Sequence, residues 1–391
     1  MGGAAFAALA SAMLLIGGCG DVYRPVANPL PSTNGPDPST TSYGVVLSNP
    51  GPGQQSIITV LNLPGDSNQG QANVGVDATY ALTPDAYRVL AVSRGEDTIS
   101  QIFPISSILG SDVQVTSLTP GCAPTYIAAA PSASFNGTVY VTCPGRNTLA
   151  DVDVTSNRQT AEVPVGANPV AALYLPGPSR AYSINHDSGD VTVISTTDNT
   201  VVATLATGSS PVAAVASSDF SSVFIVNQGS GTISRISTST DNVTDTIAVG
   251  GAPTSAFYSG KLLRLFVTDS GSNNVSVIDA NPNSSTYLTK IATLPTGTNP
   301  VAVTVLADGS RAYVANSGSN DVTEFDATAG RVLRTIPVGT TPISIASSTD
   351  STRVMIVNQG SSNVTQIMTN TDTVASTIAV PATPVIGTVN Q

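Results

Sequence analysis

The chain holds a single histidine, His186, in the stretch NHDSGD, residues 185–190. With Asp187 and Asp190 it brings an imidazole and two carboxylates together. Such a set binds a divalent cation when further ligands converge on it. No second cluster accompanies it, so a solvated loop without metal is the favoured reading. The three glutamates, Glu96, Glu162 and Glu324, are far apart in the chain. No carboxylate pair for acid–base work, no activated-serine signature and no Cys-x-x-Cys-His motif is visible. With no tryptophan for stacking, and this sparse set of ligands, no cofactor is expected.

Asparagine is the polar residue with a pattern. Asn49, Asn185, Asn227, Asn316 and Asn358 each follow three mostly apolar residues, in VLSN, YSIN, FIVN, YVAN and MIVN. Asp269 in FVTD, Ser93 in LAVS and Cys143 in YVTC stand at the same place. The steps between copies are 44, 50, 42, 42, 42, 47 and 42 residues. A ring of polar ligands is one use for such residues. A structural turn is favoured, because one copy per repeat is what architecture demands and Asn side chains bond their own turn backbone.

A fixed period near 42 residues marks a repeat architecture. The signature Gly-x-x-Pro keeps the same period at Pro124, Pro169, Pro211, Pro253, Pro300 and Pro342, with a weaker copy at Pro384. One repeat reads as four strands. PVAAVA from Pro211 is small and apolar, and the run from Val223 to Val226 is apolar throughout. Thr232 to Ser237 is the third, and Val243 to Val249 alternates as a half-exposed outer strand should. Gly- and Asn-rich turns separate them. The low charge, 10% of residues, suits many short strands rather than long helices.

The expected fold is therefore all-β, a β-propeller of four-stranded antiparallel blades over residues 43–391. Eight blades are preferred, with seven as the alternative. The C-terminal run from Pro384 supplies a first strand, and Val45–Ser48 with Ser56–Leu63 lack one. The two ends are expected to share a blade. Asp66 to Ala72 is too polar to read as that blade's outer strand. Two loops, near residues 105–111 and 280–290, are five residues longer than their counterparts, on the face opposite the Asn turns. Cys122 and Cys143 flank the first hairpin of one repeat, and a disulfide there would add roughly 3 kcal/mol on loop-closure grounds.

At the N-terminus, Ala4 to Ile16 is an apolar run broken only by Ser11 and followed by Gly-Gly-Cys19. It is too short to span a bilayer and suits a signal-peptide core. The ending resembles a bacterial lipobox, so residues 1–18 are expected to be a signal peptide and Cys19 the lipid anchor. Residues 19–42, rich in Pro, Ser and Thr, read as a flexible tether. The net charge of −11, without a run of Lys or Arg, excludes nucleic acid as a partner class and leaves membrane contact to the lipid alone.

YVTC, YSIN, FVTD and YVAN, each followed by turn residues and then VTVIS, VSVID or VTEFD, resemble the YVTN-type β-propeller repeat. The resemblance covers about residues 43–390. It implies a surface-layer or other secreted or lipid-anchored bacterial protein, located in the periplasm or at the cell surface. The expected function is a binding or cell-envelope scaffold module whose partner is an envelope protein or a glycan. The alternative, implied by lactonase-like propellers, is a hydrolase using the central channel.

Overall fold

The structure, a computed structural model, describes residues 42–104, 112–131 and 134–390. Within them lie eight four-stranded antiparallel sheets and no α-helix. The sheets are the blades of an eight-bladed β-propeller, numbered here I to VIII along the chain. Blade V shows the plan, with strands Pro211–Ala216, Ser222–Asn227, Thr232–Ser237 and Asn242–Ala248 running from the axis outward.

The apolar second strand follows from having a neighbour on each side. Val223 and Ile225 pack against Val191 and Val193 of blade IV. Phe224 and Val226, facing the other way, pack against Leu265 and Val267 of blade VI. A strand buried on both faces has no reason to alternate. The outer strand has solvent on one side, and in Asn242–Ala248 exposed and half-buried residues alternate until Ile247.

Head and tail share blade I, as the sequence leads one to expect. Pro384–Val389 is its inner strand and pairs antiparallel with Tyr43–Ser48, Val45 opposite Thr388 and Val46 opposite Gly387. The outer strand corrects the sequence reading: Ser67–Val76 pairs with Gln55–Asn62, polar residues included. Its second half carries the inward residues, Ala72 and Val74, which join the apolar cluster shared with blade II. The first half faces outward and needs no apolar side chains. The next strand runs Ala78–Asp85, after Asp77 takes a positive φ of 55°.

One backbone feature repeats around the ring. The residue before each blade-opening proline lies in the left-handed region: Ala123, Asn168, Ser210, Ala252, Asn299, Thr341 and Thr383, at φ 49° to 55°. Asn takes that conformation at little cost, whereas for β-branched Thr, as at Thr341 and Thr383, it is strained. Asn299 also gains a hydrogen bond from Nδ2 to Ser317 Oγ at 2.6 Å. Thr341→Asn is expected to stabilise the fold by about 1 kcal/mol. A shift in the urea midpoint at constant m-value is the measurement, and a midpoint that stays or falls contradicts it.

Candidate functional site

The inner strands enclose a central channel. A cavity of ≈ 740 Å³ there is lined by Tyr80, Tyr126, Phe257, Thr304, Ile345 and Ile386, among others. A second, of ≈ 300 Å³, shares Tyr80 and Tyr126 and adds Leu173 and Phe220. The two tyrosine rings lie 4.1 Å apart at 34°. Burial pushes the Tyr80 phenol well above its usual range, with Tyr126 adding to the shift, and burial raises Tyr126 too, so both remain neutral. Among the described residues, no carboxylate, imidazole or guanidinium lines either cavity.

The hydroxyls around the axis lock one blade to the next. Thr83 Oγ1 donates to Val389 O at 2.8 Å, Thr79 Oγ1 to Pro124 O at 3.0 Å and Ser344 Oγ to Gly387 O at 3.0 Å. Beside these, Thr304, Ser347, Ser348, Thr349 and Thr388 line the larger cavity, so its wall mixes aromatic and aliphatic surface with uncharged hydroxyls. Such a wall suits an uncharged ligand with both an apolar face and polar groups.

The repeated asparagines end the second strands and are fully buried: Asn185, Asn227, Asn316 and Asn358 each have 0% exposure. They do not bond the turn backbone through Nδ2. Each Nδ2 donates across the hairpin to the side chains five and seven residues on. Asn185 reaches Asp190 and Thr192, and Asn316 reaches Asp321 and Thr323, at 2.7–3.0 Å. Asn227 reaches Thr232 and Ser234, and Asn358 reaches Asn363 and Thr365, at 2.8–3.1 Å. Register explains the spacing: Asn227 lies directly opposite Thr232, and Ser234 comes next on the same face. The glycine of Gly-x-x-Pro packs onto this group. A Cβ on Gly208 would lie 2.7 Å from Asn227 Cβ, and one on Gly250 2.6 Å from Asp269 Cβ.

Four copies depart from the pattern, among them Ser93, whose buried Oγ has no partner among the described residues. Asn49, in the first, donates to Asp77 Oδ1 at 2.7 Å. Asp269 accepts from Ser276 Oγ at 2.7 Å. Cys143 is joined to Cys122, the residue after the Gly121 of its Gly-x-x-Pro, so a covalent bond stands where the other blades place a polar contact. Cys19 lies outside the described residues.

The sequence-selected charged residues do not converge. His186 Nδ1 meets Asp187 Oδ1 at 2.6 Å on the surface, while Asp190 turns away to Asn185. Among the described residues no group of three His, Cys, Asp or Glu side chains could share a metal ion. Glu96 is exposed, in the turn Arg94–Asp97 of blade II. Glu162 pairs with Arg146 at 2.6 Å and Thr148 at 2.7 Å in blade III. Glu324 is buried in blade VII between Arg311 and Arg334, each at 3.2 Å. Burial and the nearby Asp372 raise its carboxyl above the usual range, against the pull of the two guanidinium groups.

An arginine stitch escaped the sequence reading. Arg180, Arg264, Arg311 and Arg353 each begin a second strand and reach the outer turn of the following blade. Arg180 bonds Asp241 at 2.8 and 3.0 Å, and Arg264 bonds the carbonyls of Ala327 and Thr328 at 2.8 Å. Arg311 bonds Thr369 O and Asp372, and Arg353 lies 3.7 Å from Asp66. The signal was present: each arginine stands five residues before the Asn-type position. Arg180→Met is expected to cost about 1 kcal/mol, since the pair is only partly shielded from water. Its urea midpoint should fall, and the loss should shrink in high salt. A salt-independent loss would mean packing, not charge, is what Arg180 supplies.

The long loop after Asp279 lies on the face of these arginines, opposite the Asn turns; residues 105–111 lie outside the described residues.

No family model matches the chain, and no curated protein matches it in sequence. Solved structures do match in shape. The dihydro-heme d1 dehydrogenase NirN, in complex with DHE, superposes with TM-score 0.72 at 12% identity, over 90% of this chain and 75% of that one. Apo AztD from Citrobacter koseri gives 0.65 at 12%, over 90% and 99%. Kuenenia stuttgartiensis hydrazine synthase gives 0.59 at 17%, over 75% and 96%. At these identities the likeness is one of fold: the chain is an eight-bladed β-propeller.

Proposed function

We propose that the chain is a lipid-anchored, extracytoplasmic propeller that binds a cell-envelope component, protein or glycan. The observation that carries the reading is the uncharged lining of the central channel, ≈ 740 Å³ in its larger cavity, with Tyr80, Tyr126 and Phe257 among its described walls. A wall of this kind supports binding over hydrolysis, which needs an acid–base pair beside the substrate. The address rests on the lipobox ending at Cys19 and on the resemblance to YVTN-type repeats. The Cys122–Cys143 bond agrees with an oxidising compartment.

Two measurements test it. Cells expressing the full chain are fed radiolabelled palmitate: label is expected on the wild type and absent from Cys19→Ser. Immobilised wild type and Tyr126→Arg are then exposed to envelope extract. One component retained by the wild type and lost from the variant supports the channel as its seat. Unlabelled wild type overturns the anchor. Turnover of lactones with nothing retained overturns the binding role.

A further inference from the structure

The seam between blades V and VI breaks both repeat rules at once. Where most blades begin the second strand with arginine, blade V has Ser222. Where the outer turns of blades I, III, IV, V, VII and VIII are tight, blade VI runs the longer loop between Asp279 and Lys290. The arginine is missing from the position that would fill this seam. In its place is a pocket of ≈ 380 Å³ lined by the turn Ser217–Ser222, Arg235, Tyr258, Asn283 and Tyr287. That volume lies within the ~300–1,000 Å³ of small-molecule sites.

The polar groups of this pocket are held in place and only partly used. Arg235, on the third strand, donates Nε to Ser222 Oγ at 2.8 Å and Nη1 to Asp245 Oδ2 and Thr244 Oγ1 at 3.1 Å. Its Nη2 makes no hydrogen bond to a described residue. The Tyr287 ring, brought by the long loop, lies 5.7 Å from the guanidinium carbon. Asp219 Oδ1 accepts from Ser217 Oγ at 2.6 Å and from Ser221 N and Oγ at 3.1 and 2.9 Å, while Oδ2 accepts none of these bonds. Those bonds, the Ser217 hydroxyl first, hold the Asp219 carboxyl below its usual range, so it stays an acceptor in mild acid. Tyr258 forms another wall, stacked on buried Phe224 with centroids 6.2 Å apart. Asp350 of blade VIII sits in a like turn, bonded to Ser348 and Thr352, so the turn itself is general. To that turn this seam adds the Tyr287 ring over the guanidinium and a serine in place of the arginine.

Charge narrows the ligand. Arg235 is already paired with Asp245, and Asp219 stands in the same pocket, so an anion would meet more negative than unpaired positive charge. A cation would meet the guanidinium. A neutral ligand with both donors and acceptors, and an apolar face for the tyrosine rings, meets neither objection. We propose that this pocket binds one uncharged sugar residue of an envelope glycan, its hydroxyls taken by Asp219 and Arg235 and its ring resting on Tyr287 or Tyr258. The inference deepens the envelope-binding reading and rests on it for the source of the glycan.

Saturation-transfer NMR on the full chain tests it, with glucose, galactose, mannose and N-acetylglucosamine each at about 10 mM, since single-sugar sites are often millimolar. Transfer to at least one sugar is expected. Tyr287→Ala should weaken it about tenfold or more, and Tyr287→Phe should retain it, because the ring and not the hydroxyl is the platform. Tyr287 sits in a loop, and an unchanged unfolding midpoint verifies that Tyr287→Ala folds. Asp219→Asn should also weaken binding. Absence of transfer to all four sugars overturns the proposal, as does transfer that both Tyr287→Ala and Asp219→Asn leave undiminished. Palmitate on Cys19 and a captured envelope component would stand through such a failure, so the two readings fail separately.

Discussion

Removing residues 382–391 is expected to abolish cooperative folding of the ring. The segment carries Pro384–Val389, the inner strand of blade I, which pairs with Tyr43–Ser48 and touches both neighbouring blades. Val389 belongs to the apolar cluster shared with blade VIII, and Val385 and Ile386 pack on the cluster shared with blade II. Each such side chain contributes roughly 1.5–3 kcal/mol when buried, so the three together approach 5 kcal/mol, much of a domain's net stability. The larger loss is topological. A blade without its inner strand leaves Tyr43–Ser48 as an open edge at the axis, and the ring becomes an open array with two uncapped ends. A point change at the same junction should act more mildly. A Cβ on Gly387 would lie 2.4 Å from Val357 Cγ2 and 2.9 Å from Met355 Cε, so Gly387→Ala is expected to cost about 1–3 kcal/mol by overpacking. Size-exclusion chromatography and urea unfolding measure both. A truncated chain that remains monomeric and unfolds in one transition near the wild-type midpoint would show that the ring does not depend on its latch.

The repeat was legible because two independent landmarks, the Asn-type position and Gly-x-x-Pro, kept one period, and because the second strands are apolar on both faces. Even the closure could be read, since an orphan first strand stood at one end and two unattended strands at the other. The outer strand Ser67–Val76 was not readable: its first residues face solvent, where composition carries no demand, and its two inward residues, Ala72 and Val74, are too few to announce a strand. The asparagines were expected to bond their own turn backbone, as Asn49 does through Gly51 N, but the other four bond side chains across the hairpin. A turn explains an Asn by local backbone bonds, whereas here the partner is set by cross-strand register, which needs the hairpin to be known first. The arginine stitch was hidden for the opposite reason. Arg180 and Asp241 are 61 residues apart, in different blades, and only the ring brings them together. The seam pocket at Arg235 is a failure of repetition, visible only once the rule it breaks is known.

Asp269→Asn is expected to stabilise the protein by about 2 kcal/mol at neutral pH, the reverse of what removing a buried charge partner usually does. Asp269 is fully buried at the position where five other blades hold Asn, four of them fully buried. Its Oδ2 accepts from Ser276, but its Oδ1 has no hydrogen-bond partner, and neither has buried Asn274 Oδ1. Asn358 shows what the position is built for: its Nδ2 donates to Asn363 Oδ1 and Thr365 Oγ1, the counterparts of Asn274 and Ser276. An amide at 269 would donate to two acceptors at present underused. Burial raises the Asp269 carboxyl above its usual range, and Ser276, the Gly250 N–H and Lys290 offset only part of that. A raised carboxyl means the folded state binds the proton more tightly than the unfolded chain does. The ionised form therefore costs stability, in full above the folded-state pKa, and the cost fades as pH falls towards the unfolded value near 3.9. The advantage of Asp269→Asn should accordingly be largest at about pH 7 and nearly gone at about pH 4, as read from urea midpoints at each pH. Asn358→Asp is the mirror experiment: it should destabilise at neutral pH and recover in acid. Equal shifts at both pH values would place the effect in packing instead of charge, and a destabilised Asp269→Asn would mean that the aspartate is held at this seam by a demand the other blades do not share.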